Sequence, residues 1–145
     1  MLLLSPAFNH DGNIPAKFTC DGGNINPELQ IENVPEGTRS LALIVDDPDA
    51  PNGTFTHWTV WNIDPRTTLI KEESTPPGAV EGKTSFGQSG YGGPCPPSGT
   101  HHYHFRLYAL NTVLSLSPDA SRQDLETAIA GCILAAADLV GLYHR

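Results

Sequence analysis

Apolar residues follow patterns along the chain that predict several strands. Residues 41–45 form an unbroken apolar run that ends at the Asp-Asp-Pro of residues 46–48, and this length favours a strand buried on both faces. Residues 57–63 are rich in Trp, Thr and Val and predict the next strand. Shorter extended pieces are expected at 18–20 and 29–31, between turns rich in Gly, Asn and Pro.

The clearest alternation of apolar and polar side chains lies at residues 101–110 and predicts a strand with one face buried. The more apolar face carries His101, Tyr103, Phe105, Leu107 and Ala109. His101 is therefore expected to point inward at the start of this strand, whereas His102 and His104 point the other way.

Residues 121–140 carry the one helical pattern in the chain. Ser121 and Asp124 form a start similar to a capping box, and Gly141 is well placed to end the helix. Apolar residues share one face at helical spacing: Leu125, Ile129, Ile133, Ala136 and Val140. One C-terminal helix on an otherwise β chain predicts a mainly β fold, a sheet or sandwich with a peripheral helix.

The length of 145 residues predicts a single domain over residues 1–145 that buries a core without metals or disulfides. Its 14 glycines and 13 prolines suit short strands joined by turns and long shaped loops. Residues 64–99 are expected to be mostly loop. A loop of this length inside a domain is usually functional, or else it hides an unrecognised element.

The net charge of −8 comes from 16 acidic and 8 basic side chains, and the basic ones form no run or stripe. A protein that neutralises nucleic-acid phosphates needs clustered Lys and Arg, so we expect no nucleic-acid partner. For the same reason we expect no attraction to an anionic membrane surface.

The cysteines at positions 20, 95 and 132 are odd in number and have no metal-binding spacing, which predicts a reduced, cytoplasmic protein. The apolar N-terminal run is only a few residues long, lacks a basic start and ends at Pro6. It is too short for a secretory signal or an integral membrane segment.

Asp47 and His57 are the first candidates for chemistry. Asp47 leaves the buried strand where a Pro-rich loop begins, and an Asp before Pro commonly caps a turn. A carboxylate there can also hold a histidine by a hydrogen bond and raise its pKa. His57 begins the next strand, and the loop can bring it back beside Asp47. A purely structural histidine fits the same position.

The stretch at residues 90–99, Gly-Tyr-Gly-Gly-Pro-Cys-Pro-Pro-Ser-Gly, is the most unusual in the chain. Glycines let the backbone approach a ligand and turn its N–H groups inward, and prolines stiffen the loop. An ordinary rigid surface loop has the same composition. However, this loop leads directly into His101 and Tyr103.

Metal binding and catalysis are weaker interpretations of the same residues. Zinc needs about three converging ligands, and the alternation leaves only His57, His101 and Asp47 for such a site. Cys95 with His101 could form a nucleophile and base, but no helix N-terminus is placed to lower the thiol pKa. No nucleophile elbow or phosphate-binding P-loop is present. We therefore expect no catalytic residue, metal or cofactor.

Two long motifs resemble the phosphatidylethanolamine-binding protein family. One is DDPDAP at residues 46–51, followed by His57; the other is GYGGPCPPSG at residues 90–99, followed by His101 and Tyr103. The match is closer to the short bacterial and archaeal branch, often called Raf-kinase-inhibitor-like, and it covers nearly the whole chain.

The resemblance implies packed antiparallel sheets with Greek-key connections, a peripheral helix and a small surface pocket. In the family this pocket takes phosphate-like anions, including phospholipid head groups. Motif positions imply three kinds of pocket residue: Asp47, His57 and His101 as its lining, Gly93 and Cys95 as backbone presented to the anion, and Pro51, Pro96 and Tyr103 as its rim.

The chain also departs from the animal branch of the family. Cys95 stands where that branch has Gly, although Cys is usual in the short branch. The animal branch extends its C-terminus over the pocket, whereas this chain ends at Arg145. Two outcomes are open: a more exposed pocket, or a homodimer in which a second subunit covers it.

The expected function is non-enzymatic binding of a small phosphate-containing anion, with regulation of a partner protein as an extension of it. The family also contains kinase regulators and serine-protease inhibitors, which supplies a second hypothesis. A hydrolase or metal enzyme that uses His57, His101 and Asp47 is the third. An anion held by histidines in a protein of net charge −8 needs at least one of them protonated. Its affinity is therefore expected to weaken as the pH rises.

Overall fold

Nine strands, one α-helix and one 3-10 helix make up the regular structure, and the computed structural model describes residues 1–145. The strands are β1 Leu2–Leu4, β2 Gly12–Asn13, β3 Leu29–Glu32, β4 Ser40–Asp47, β5 Phe55–Ile63, β6 Leu69–Ile70, β7 Val80–Glu81, β8 Thr100–Leu110 and β9 Ile133–His144. The α-helix α1 spans Arg122–Ile129, and the 3-10 helix spans Ala16–Phe18.

The strands form two sheets. The smaller sheet has the order β1-β3-β6, and the larger has the order β2-β9-β8-β4-β5-β7. In the larger sheet β4, β5 and β7 are successive antiparallel neighbours, and β8 returns to lie antiparallel beside β4. This is Greek-key order, and it confirms the predicted mainly β fold.

Two apolar clusters cover the two faces of the larger sheet. The cluster between the sheets contains Leu29 and Ile31 from β3 together with Leu43, Trp58 and Phe105 from the larger sheet. The second cluster packs Ala42, Ile44, Trp61 and Leu110 beneath Leu125 and Ile129 of α1. Because β4 contributes to both clusters, it needs the unbroken apolar run that the sequence shows.

The three principal strand predictions are confirmed. Every residue of β4 is buried, and β5 covers the predicted residues 57–63. In β8 the predicted inward face is buried from His101 to Ala109, while His102 is exposed and His104 is half-buried. The short strand predicted at 29–31 is also present as β3.

The predicted helix over 121–140 is correct only in its first half. Ser121 caps α1 with the expected capping box, but α1 ends at Ile129, and Gly131 follows with a φ of 78°. Residues from Ile133 onward form β9, which pairs with β8 along its length. No helix in the protein is long and apolar enough to cross a bilayer.

Smaller differences from the sequence predictions lie in the first twenty residues and in the long loop. Residues 18–20 are not extended, because the 3-10 helix ends at Phe18 and turns follow it. The N-terminal Leu2–Leu4 forms β1, which the sequence did not predict. The long loop at 64–99 is confirmed apart from two strands of two residues each, β6 and β7.

Asp46 joins α1 to the larger sheet. Its fully buried carboxylate contacts Nε of Arg106 at 3.1 Å and Nη1 of Arg122, the first residue of α1, at 2.7 Å. Arg122 also contacts Glu126 one turn further along the helix, at 2.8 Å. The Asp46 carboxylate is therefore part of an ion-pair network between the larger sheet and the helix.

Candidate functional site

A pocket of about 240 Å³ lies where the end of β4 and the start of β8 meet the first residues of β5. Seven of the eight predicted residues line it: Asp47, Pro51, His57, Cys95, Pro96, His101 and Tyr103. We call it the histidine pocket. The antiparallel register of β4 and β8 pairs Asp46 with His104, so Asp47 lies at the start of β8 and its side chain reaches His101 on the same face.

Asp47 and His101 form a buried pair at the base of the histidine pocket. Nδ1 of His101 lies 2.6 Å from Oδ2 of Asp47. The other carboxylate oxygen accepts a hydrogen bond from the backbone N–H of Asp49 at 2.8 Å. Because a carboxylate only accepts, Nδ1 of His101 carries the hydrogen. The predicted hydrogen bond between Asp47 and a histidine is thus present, with His101 as the partner.

His57 is held by backbone instead of by a carboxylate. Its Nδ1 lies 2.7 Å from the carbonyl oxygen of Gly92, and the N–H of Gly92 donates to the carbonyl of His57 at 3.0 Å. This reciprocal pair fixes the ring against the loop at residues 90–99. Since a carbonyl only accepts, Nδ1 of His57 also carries a hydrogen.

Burial lowers the pKa of the His57 imidazole below its usual 6.5. The Gly92 carbonyl and the Asp47 carboxylate act in the opposite direction, as expected for Asp47, but they do not outweigh burial. The neutral ring therefore prevails near neutral pH. Its Nε2 is then an acceptor, and it becomes a donor only when the ring takes up a second proton.

Tyr103 separates and orients the two histidines. Its ring is stacked with the imidazole of His101, with the ring centroids 6.4 Å apart. It meets the imidazole of His57 edge-on, with the ring centroids 5.3 Å apart. Burial and the charge of Asp47 raise the pKa of the Tyr103 hydroxyl. The side chain is thus a neutral phenol that fixes ring positions.

The loop at residues 90–99 packs against the segment that follows the 3-10 helix. The N–H of Gly93 donates to Oδ1 of Asn24 at 2.8 Å, and Gly93 is not among the residues that line the histidine pocket. A Cβ at Gly93 would lie 2.3 Å from the carbonyl oxygen of Phe18. Glycine is required here for close packing of two backbone segments.

Cys95 forms a disulfide with Cys20, 75 residues away in sequence, and Cys132 is the free cysteine. The expectation of three reduced cysteines is therefore wrong for this pair. Cys20 lies far from Cys95 in sequence, and only the fold brings the two together. Cys95 has no free thiol in this state, so it cannot act as the nucleophile considered from the sequence.

The neighbouring histidines lie outside the histidine pocket, as the strand alternation predicts. Nδ1 of His102 contacts Asp49 at 2.7 Å, and Nδ1 of His104 contacts Asp138 at 3.0 Å. No three His, Cys, Asp or Glu side chains converge as metal ligands would. The side-chain arrangement therefore gives no support to the metal-enzyme hypothesis.

Five further lining residues were missed from the sequence: Ala50, Asn52, Phe55, Phe86 and Pro97. Phe55 lies two residues before His57, so the period of a strand indicates that both point to one side. Phe86 lies in the long loop and reaches the rim only through tertiary packing, 4.8 Å from the ring of Phe55. No sequence pattern could have found it.

Comparison with known proteins agrees with these motifs and with the fold. The sequence model described as phosphatidylethanolamine-binding protein matches residues 4–144. The chain belongs to this family. A relative in Methanothermobacter thermautotrophicus, named only as a UPF0098 protein, is 51% identical over 150 residues, which cover 100% of this chain and 99% of the relative. A UPF0098 protein of Aquifex aeolicus is 47% identical over 152 residues, which cover 100% of this chain and 89% of that relative.

Two solved structures place the fold in the same family. A homologue of phosphatidylethanolamine-binding protein from Chlamydia trachomatis has a TM-score of 0.95 and 39% identity, with 99% of this chain and 97% of that one covered. Escherichia coli YbcL, described as a member of the mammalian family, has a TM-score of 0.93 and 32% identity, with 99% and 98% covered. The expected family membership is confirmed.

Proposed function

We propose that the histidine pocket binds a small phosphate-containing anion, either a phospholipid head group or another phosphorylated ligand, without chemical turnover. One observation carries the proposal. Both pocket histidines engage Nδ1 with a protein acceptor and leave Nε2 without a protein partner. Two imidazoles held in this way can each direct an Nε2–H at the same ligand when they are protonated.

The surroundings of the two rings suit a ligand with an anionic group attached to an organic part. His57 and His101 are buried, whereas Phe86 and Pro97 are exposed at the rim. The phosphate would lie against the imidazoles, and the rest of the ligand would contact the apolar rim. With a net charge of −8 the protein offers no long-range attraction, so these local donors must supply the affinity.

Binding should be linked to proton uptake at His57. Burial holds the pKa of its free imidazole below 6.5, whereas a bound anion would raise the pKa of the same ring. Between these two values the ligand binds together with a proton. Affinity is then full below the pKa of free His57, and it falls as the pH rises by up to about tenfold per unit for one proton.

The side chains of the pocket also support binding over catalysis. The candidate thiol of Cys95 is in a disulfide, and burial raises the pKa of the Tyr103 hydroxyl. Neither group is available as a nucleophile at neutral pH. The Nδ1 atoms of His57 and His101 are each committed to a fixed acceptor, which positions the rings but activates no attacking group.

Calorimetric titration with phosphoethanolamine and with inorganic phosphate tests the proposal. We expect His57→Ala and His101→Ala to weaken binding roughly 10- to 100-fold, because each removes a hydrogen bond to a charged group. His102→Ala is the matched control, since His102 is exposed and faces away from the pocket. Tighter binding of phosphoethanolamine than of phosphate would favour a head-group ligand.

Three outcomes would contradict the proposal. They are the absence of binding by the wild type, equal affinity of all three variants, and no decrease in affinity between pH 5.5 and 8.5. The buffers are chosen around the reference histidine pKa of about 6.5. Folding of each variant is confirmed by near-ultraviolet circular dichroism, so that a loss of affinity is not a loss of structure.

A further inference from the structure

A disulfide at the edge of the histidine pocket suggests how its affinity is regulated. Cys95 lines the pocket, and its partner Cys20 lies in the segment after the 3-10 helix, outside the pocket. Both residues are exposed. We propose that reduction of the Cys20–Cys95 disulfide by a dithiol weakens anion binding while the fold persists; this inference rests on the proposed function.

The disulfide holds a part of the rim that has few other attachments. Residues 91–94 are fixed by several bonds: Tyr91 Oη donates to the Phe18 carbonyl at 2.7 Å, and the N–H of Cys20 donates to the Pro94 carbonyl at 3.1 Å. Residues 95–98 make no backbone–backbone hydrogen bond, and the next one is at Gly99. Pro96 is buried, whereas Cys95, Pro97 and Ser98 are exposed. Breaking the disulfide is therefore expected to loosen the exposed part of the rim segment 95–98.

The base of the pocket is held independently of the disulfide. Asp47 and His57 lie on β4 and β5 in the middle of the larger sheet, and His101 lies on β8 beside β4. These strands pack into the core between the sheets. Reduction is thus expected to leave the two imidazoles in place and to loosen only the part of the rim that residues 95–98 form. Ordering that rim again on binding would cost affinity.

The surroundings of Cys95 favour one direction of attack. Nη1 of Arg145 lies 3.5 Å from Sγ of Cys95, and Nη2 of the same guanidinium is held by Asp21 at 2.9 Å. A nearby cation stabilises a thiolate, and the thiol with the better-stabilised thiolate leaves faster. Cys95 is therefore the leaving group, and the reductant attacks Sγ of Cys20.

The exchange balances as a two-electron reduction. One thiolate of the dithiol forms a bond to Sγ of Cys20, the Cys20–Cys95 bond breaks, and the electron pair leaves on Cys95. The second thiolate of the reductant then attacks the reductant's first sulfur, which is bonded to Sγ of Cys20. This closes the reductant's own disulfide and releases Cys20 as a thiolate. The dithiol becomes a disulfide, and its two protons end on the two cysteine thiols.

The test compares phosphoethanolamine binding by the oxidised and dithiothreitol-reduced protein at one pH, in a Cys132→Ser background so that only this pair reacts. Thiols are counted in denaturant, and folding is followed by circular dichroism. We expect reduction to weaken binding about tenfold, with native circular dichroism retained and affinity restored on reoxidation. The double variant Cys20→Ser/Cys95→Ser should bind weakly and ignore the reductant.

Several results would overturn the inference. Equal affinity of the two redox states with native circular dichroism would refute the switch and leave the proposed function intact. Loss of native circular dichroism on reduction would show that the disulfide is needed for folding instead of regulation. Absence of binding in the oxidised state would overturn the inference, and absence in both states would overturn the proposed function as well.

Discussion

The two pocket histidines are both held at Nδ1, but by different partners. His101 is held by the side chain of Asp47, and His57 is held by the backbone of Gly92. A hydrogen bond from Asp47 to a histidine could be predicted from the residue types, but the sequence pointed to His57, and the fold selects His101. The partnership of His57 with Gly92 could not be predicted, because every residue has a carbonyl and only the fold selects Gly92.

Because His57 is buried, the free energy of unfolding should depend on pH. Its pKa in the folded protein is lowered below the 6.5 of the unfolded chain, so the unfolded state takes up a proton first as the pH falls. The contribution of this neutral ring to stability is full above pH 6.5 and decreases as the pH falls toward the folded pKa. We expect His57→Gln to reduce the dependence of the unfolding free energy on pH in this window.

Urea unfolding at a series of pH values between 5 and 8, around the reference value of about 6.5, measures this dependence. His102→Gln is the control, because its side chain is exposed and its removal should leave the pH dependence unchanged. An identical pH dependence in wild type and His57→Gln would show that the folded protein does not hold His57 neutral.

At the scale of elements, α1 and β9 show where sequence patterns stop being decisive. Alanine has the highest helix propensity, and the apolar residues of 121–140 repeat at helical spacing. The chain nevertheless turns at Gly131 and pairs residues 133–144 with β8. Tertiary pairing along eleven residues of β8 outweighs local propensity, and alanines in β9 pack against the core between the sheets.

Asp46 connects α1 to β4, and its substitution tests how much this connection contributes to stability. Asp46→Asn removes a buried charge that contacts both Arg106 and Arg122. We expect it to lower the free energy of unfolding by about 3 kcal/mol, the lower end for breaking a buried ion pair, since both arginines remain partly solvated. Denaturant unfolding at neutral pH measures the loss.

Asp138→Asn is the matched control for Asp46→Asn. Asp138 is exposed and contacts His104 on the surface of the same sheet, so its loss should cost less than about 1 kcal/mol. Equal effects of the two substitutions would mean that the buried ion pair does not fasten α1. Phosphoethanolamine affinity should change in neither variant, because both residues lie outside the histidine pocket.

At the scale of the whole molecule, the main strands and the motif residues could be predicted, but the contacts between distant segments could not. The sequence predicted β4, β5 and β8, and these position Asp47, His57 and His101. Cys20 and Phe86 reach the site from the first turn region and from the long loop. Their places depend on long-range packing, which single-sequence periodicity does not encode.

Because the protein has a net charge of −8, its affinity for an anion must come from groups inside the histidine pocket. An anion must bind against the field of the molecule, with two imidazoles in one pocket as its donors. The other four histidines provide controls within the same protein, because they lie outside the pocket: His10, His102, His104 and His144.

Imidazole nitrogen NMR during a phosphoethanolamine titration is therefore the most direct measurement. We predict that the Nε2 resonances of His57 and His101 shift together and saturate, that His57 moves toward its protonated form, and that the other four histidines do not respond. A titration in which neither His57 nor His101 shifts, or in which all six histidines shift alike, would contradict the assignment of the histidine pocket as an anion site.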